Sequence, residues 1–257
     1  ASLPQVEGLT IIPGVEWTHY KGHSNFWGHE APYDGSFMTN TEEEMRQKFA
    51  QAHERGAVIS INHPFEEPYS FQYDFEQLPY DCLEVWNGPM RPNNLRAIGY
   101  WDAQLKAGRR VIASCGSDYH ADEFLMRLAG PCINVFAYSD TEADILDAVR
   151  AGRSYFTFQP DVLGVEMRVG DAMLGESVAF TPGLMLTLAL EGLKAGDQVK
   201  LIGMDGERQV AQAPERGSFR CELPIGGKGY VRLEVWREFF PGIPMLPALI
   251  TNPIWVV

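Results

Sequence analysis

Helix signals end near residue 160, and this single break constrains the fold more than any other feature of the chain. Beyond Asp161 no stretch repeats apolar side chains every three or four residues. The segments "LMLTLALEG", "QVKLIGMDG", "SFRCELPI", "GYVRLEVWRE" and "LITNPIWVV" are instead short apolar runs parted by Gly, Pro and Asp-Gly. Leu184, Leu186, Leu188 and Leu190 lie two apart, the period of a strand with one buried face, although Met, Thr and Ala between them blur the alternation. Residues 163–257 are therefore expected to form a small all-β sandwich domain.

Residues 1–162 read differently. "LTIIPGVE", "AVISINHP", "CLEVWNG", "RRVIASCGSDYH", "CINVFAY" and "RSYFTF" have the composition of strands. Between them stand the helical segments "NTEEEMRQKFAQAHERG", "NNLRAIGYWDAQLKAG" and "TEADILDAVRAG". In the first, Thr41 and Glu44 are spaced as a capping box, Met45, Phe49 and Ala52 share one face, and Gly56 marks the C-terminal stop. This alternation predicts an α/β unit on a parallel sheet or barrel.

Composition narrows the function. Apolar residues make up 45% of the 257, which supports a real core and excludes a disordered chain. A net charge of −13 repels phosphate backbones, so nucleic acid is not expected as a partner. No apolar run approaches the roughly 18 residues of a membrane span, and no membrane partner is expected. The opening "ASLPQVEG" has neither a basic start nor an apolar stretch. The location is left open, with the cytoplasm favoured over an exported mature form. Cys82, Cys115, Cys132 and Cys221 are widely spread without a Cys-x-x-Cys pair, which fits reduced thiols rather than a disulfide framework.

The candidate chemistry sits where strands of the first unit are expected to end, which is where open α/β folds build their sites. Glu16 closes the first expected strand, and His23 follows it on a loop. His63 closes "VISIN". Asp118 and His120 close "VIASCGS", two residues apart, so that an extended chain aims both at one point. Carboxylate oxygen and imidazole nitrogen together suit Zn, Mn or Fe better than Ca or Mg. Taken singly each residue has an ordinary explanation: a turn histidine before proline for His63, a turn or cap for Asp118. His53 reads as a structural helix residue. His19 and His29 read as bystanders, His19 being near enough to support a ligand. No Gly-x-Ser-x-Gly elbow is present, and Cys115 lies in an apolar strand where a thiol is a poor nucleophile.

"IPGVEWTHYKGHSNFWG", "ISINHP", "EVWNG" and "GSDYH" occur in this order and resemble the later motifs of the PHP (polymerase and histidinol phosphatase) superfamily, most closely its CehA/McbA-type metallohydrolases. The ending "ALITNPIWVV" is similar to the close of the β-domain in that branch. The resemblance implies an incomplete, distorted (β/α)7-type barrel over residues 1–162, with one to three divalent transition-metal ions at the carboxyl ends of its strands. Glu16, His23 and His63 would hold one ion, Asp118 a second, and His120 a third or shared one. The implied activity is metal-dependent hydrolysis of a phosphate, carboxyl or carbamate ester through a metal-bound hydroxide. Asp118 and His120 would be catalytic, while Trp17, Glu84, Trp86, Asn87 and Tyr119 would meet a small-molecule ester. A leaving-group acid could be His120, His19 or Tyr119. The family's first motifs, His-x-His and Thr-Asp-His, do not occur in the chain. A segment before Ala1, or a second copy in a homo-oligomer, is therefore expected to cover the open barrel edge. The alternative is a catalytically impaired fragment or scaffold that retains a partial metal site.

Overall fold

The structure is a computed structural model that describes residues 6–122 and 126–257. Its first element is a hairpin. Strand β1 (Gly14–His19) turns through Tyr20 and Lys21 into β2 (Gly22–Trp27), pairing antiparallel with Glu16 opposite Asn25 and Thr18 opposite His23. Burial alternates along both strands: Trp17, His19, Ser24 and Phe26 point into the core, while Glu16 and His23 point the other way. Gly22 is required at the turn. Its φ is +125°, and a Cβ there would lie 2.7 Å from the Phe71 Cα.

Helix α1 (Glu42–Glu54) follows, with the full capping box of Thr41 and Glu44 and with Met45, Phe49 and Ala52 buried. It leads to β3 (Val58–Ile61), antiparallel to β2, then to β4 (Cys82–Asn87), helix α2 (Pro92–Lys106) and β5 (Ile112–Gly116). Strands β3, β4 and β5 run parallel, so one open sheet has the order β1-β2-β3-β4-β5. Next come β6 (Cys132–Val135), α3 (Glu142–Arg150) and β7 (Ser154–Thr157).

Every later named element is a strand: β8 (Gly164–Val169), β9 (Ser177–Val178), β10 (Met185–Leu193), β11 (Gln198–Gly203), β12 (Gly206–Gln212), β13 (Gly217–Pro224), β14 (Gly229–Arg237), β15 (Leu246–Thr251) and β16 (Ile254–Val256). Strands β13, β10 and β8 make a three-stranded sheet. The largest sheet has the order β12-β11-β14-β15-β7-β6, with β16 paired to β14 and β9 to β16. Val165, Met167 and Val169 of β8 and Leu186, Leu188 and Leu190 of β10 pack with Leu233 and Val235 of β14 in one core between these sheets.

The expected α/β barrel is corrected by this architecture. The described residues form sixteen strands and three α-helices in three sheets, a mostly β molecule. The physical reason is that the parallel series stops at β5. The β1–β2 hairpin stands where a crossover helix would be needed, and β6 and β7 pair antiparallel with each other and with β15. The β7–β15 pairing, Phe156 opposite Ile250, also carries the largest sheet across residue 162. The core does the same: Trp17, Phe26, Phe49 and Trp101 belong to one buried cluster with Phe156, Tyr230, Ile250 and Trp255. No helix of the described residues is long and apolar enough to cross a membrane.

The free edge of β5 is closed by a side chain. Asn252, in the kink between β15 and β16, accepts from the Ala113 backbone N–H at 2.9 Å and donates to the Ala113 carbonyl at 3.1 Å. Its amide thus occupies the two hydrogen bonds that a neighbouring strand would otherwise make.

Candidate metal centre

Antiparallel register brings Glu16 and His23 together. His23 lies two residues from Asn25, the partner of Glu16, so the two are diagonal neighbours on one face of the hairpin. Their Oε1 and Nδ1 atoms are 3.4 Å apart. His63 arrives from the carboxyl end of β3, and its Nε2 is 3.1 Å from His23 Nδ1. Ligand atoms of all three residues lie within 4.8 Å of one another. Two atoms each 2.0–2.2 Å from one tetrahedral ion are about 3.4 Å apart, so this spacing fits a shared ion. Glu16, His23 and His63 are placed to hold a metal ion.

For Glu16 and His63 the surroundings favour the protonation states that ligation needs. The hydrogen bond from His23 holds the Glu16 carboxyl below the usual carboxylate range, assisted by Asn62, whose Nδ2 donates at 3.2 Å. Burial, then the His23 charge, lowers the His63 imidazole and favours its neutral form. His63 has a φ of +26° and Asp118 a φ of +46°, a left-handed backbone that side chains other than glycine seldom adopt. Such strain collects at functional sites. The His63 backbone is pinned by its N–H donating to Glu84 Oε2 at 2.7 Å. The His63 Nδ1 atom is buried with no partner, so the ring lacks the outer hydrogen bond that usually orients a ligating imidazole.

A cleft of about 760 Å³ opens over the group and is lined by Glu16, His23, His63, Asp118 and His120, all five expected ligands. Asp118 and His120 are paired with each other, Oδ1 to Nε2 at 3.0 Å, and stand outside the three-residue cluster. The expected wall residues lie elsewhere. Trp17 is fully buried and donates its indole N–H to the Phe37 carbonyl. Glu84 and Asn87 are buried beneath the site, where Asn87 Nδ2 donates to Glu84 Oε2 at 3.2 Å. Burial raises the Glu84 carboxyl to about 8. Trp86 faces a neighbouring groove. The Tyr119 hydroxyl donates to Asp122 at 2.8 Å.

No protein-family model, curated protein or solved structure matches this chain. The chemistry of the cleft rests on its own side chains.

The sequence reading also passed over residues that line the cleft. Arg91, which precedes α2, grips Glu66 with two hydrogen bonds of 2.5 and 2.9 Å and donates to Asn87 Oδ1 at 3.0 Å. Glu66 and Arg91 are 25 positions apart, so no local pattern announces their pairing. Tyr69 lies with its ring 5.6 Å from that of His23. Outside the cleft, His19 is buried and stacked on Trp17 at 4.9 Å, and His53 pairs with Asp81 at 2.9 Å. Burial pushes the Cys115 thiol well up, away from nucleophilic use.

Proposed function

We propose that the chain is a metal-dependent hydrolase of small-molecule esters. The observation that supports this reading is the convergence of Glu16, His23 and His63 beneath an open cleft. Three protein ligands with a free position are the arrangement of catalytic rather than structural zinc. The donor set of one carboxylate and two imidazoles favours Zn, Mn or Fe. When bound, such an ion acts as a Lewis acid and lowers the pKa of a water ligand toward about 7. The resemblance of "NHP", "GSDYH" and "GVE" to PHP metallohydrolases agrees with the same chemistry.

The chain's own groups supply the rest. Glu16 offers negative charge, and the neutral His63 ring offers its Nε2 lone pair. Asp118 holds His120 through Nε2, which leaves Nδ1 to deliver a proton to a departing oxygen. In this reading Asp118 orients His120. Arg91, fixed by Glu66 and Asn87, lines the same cleft with its charge matched by the Glu66 carboxylate.

Elemental analysis of protein purified without chelator tests the site. About one transition metal per chain is expected, falling to near zero in His63→Ala. A panel of phosphate, carboxyl and carbamate esters, with Zn or Mn added, tests the chemistry. Asp118→Asn is expected to lower kcat at least about tenfold with little change in KM, since the lost interaction acts in the transition state. Absence of metal in the wild type removes the centre. Metal retention without turnover of any ester identifies a non-catalytic metal-holding protein instead.

A further inference from the structure

A second concavity adjoins the cleft. It measures about 490 Å³, and its wall includes Trp86, Met90, Pro131, Phe158 and Phe240. Pro89 lines both this groove and the cleft. Met126 faces the cleft while its neighbour Arg127 faces the groove. The two spaces therefore meet along a shared wall. The Gly88 turn that holds this wall is fixed: its φ is +53°, and its N–H donates to the Gly116 carbonyl at 2.8 Å.

The groove is built rather than incidental. The Trp86 indole is buried, with its N–H satisfied by the Gly88 carbonyl at 3.0 Å, so only its apolar surface is left for a ligand. Phe158 is braced edge-on by Phe239 at 4.9 Å and covered by the Arg237 guanidinium at 5.6 Å. Phe240 and Ile243 are 59% and 52% exposed at its mouth. Large apolar side chains exposed around a concavity mark a binding site. The volume falls within the range of roughly 300–1,000 Å³ seen for small-molecule pockets.

We propose that this groove binds the apolar part of the substrate, an alkyl or aryl group, while the hydrolysable head lies in the cleft. This rests on the hydrolase reading for the head group alone. Continuity through Pro89 selects the occupant, because one small molecule can touch both spaces at once. Specificity then resides in the β4–α2 turn and the β14–β15 connection, and the head-group chemistry resides in the cleft.

Alkylphosphonates from methyl to octyl, titrated calorimetrically into metal-loaded and metal-free protein, test the inference. Affinity is expected to rise with chain length, at most about fourfold per buried methylene. The octyl member is expected to bind at least tenfold more tightly than the methyl member. In the double variant Phe240→Ser/Ile243→Ser, at two exposed positions, that ratio is expected to fall to within about twofold. Metal removal should weaken every member by a common factor and leave the chain-length dependence in place. Equal affinities along the series, no binding by any member, or a ratio unchanged in the double variant would overturn the groove assignment. A chain-length dependence lost in the double variant, without any gain on metal loading, keeps the groove and removes the metal reading.

Discussion

Glu84 is the residue on which the site's electrostatics turn. It sits on β4, fully surrounded, with one oxygen accepting from both His63 and Asn87. Burial outweighs those two hydrogen bonds and raises it from 4.5 to about 8. A carboxyl raised on folding binds more protons folded than unfolded between these two values. Its contribution to stability is therefore full below 4.5 and is lost as the pH rises through 8. Glu84→Gln keeps an oxygen acceptor and removes the titration. In metal-free protein the Tm of Glu84→Gln relative to wild type is expected to climb between pH 5 and pH 9. Parallel Tm curves for the two proteins across that range would exclude a buried carboxylic acid.

Among the elements, the hairpin and the capped edge have the most consequence. The β1–β2 hairpin puts Glu16 in mid-strand and His23 on a strand, where sequence reasoning had a strand end and a loop. Its turn residues, Tyr20 and Lys21, are not the Asn-Gly or Asp-Gly pair that signals a two-residue hairpin. The readable sign was the alternation of Trp17 and His19 with Glu16 and Thr18. At the other end of the sheet, the Asn252 side chain makes three hydrogen bonds, two to Ala113 and one to Ser154 Oγ at 3.0 Å. Asn252→Ala would leave the Ala113 N–H and carbonyl buried and unpaired. A loss of about 2–4 kcal/mol is expected, measured by urea unfolding. A loss below about 0.5 kcal/mol would mean that the edge needs no cap.

Over the whole molecule, the chain's two textures share a sheet and a buried core. Besides the β7–β15 pairing, buried Arg232 of β14 reaches Asp102 of α2 at 3.2 Å and Glu234 at 2.5 Å, and lies over the Trp101 ring at 4.7 Å. Tyr230 donates to the same Asp102 at 2.7 Å. A segment of residues 1–162 made alone would lose these partners, together with Ile250 and Trp255 from its core. It is expected to show no cooperative unfolding, whereas the full chain is expected to unfold in a single transition by near- and far-UV circular dichroism. A folded, metal-binding 1–162 segment would show that the residue 162 boundary separates independent domains.

By itself the sequence determined what depends on near neighbours. The cap of α1, its buried face of Met45, Phe49 and Ala52, the strand period of β10 and the absence of helices after residue 161 all follow from spacings of a few residues. The positions of His63 and Asp118 just past strand ends were also legible, because each follows a parallel strand. Tertiary structure alone decided which strands became neighbours. An apolar run such as "RSYFTF" buries equally well in a parallel or an antiparallel sheet, so its composition does not distinguish β5 from β15 as a partner. For the same reason Trp86 could be read as a pocket residue without showing which pocket it faces. The approach of Glu16 and His23 to His63 is set by register and by a strained backbone, and both are fixed only when the core closes around Trp17 and Phe26.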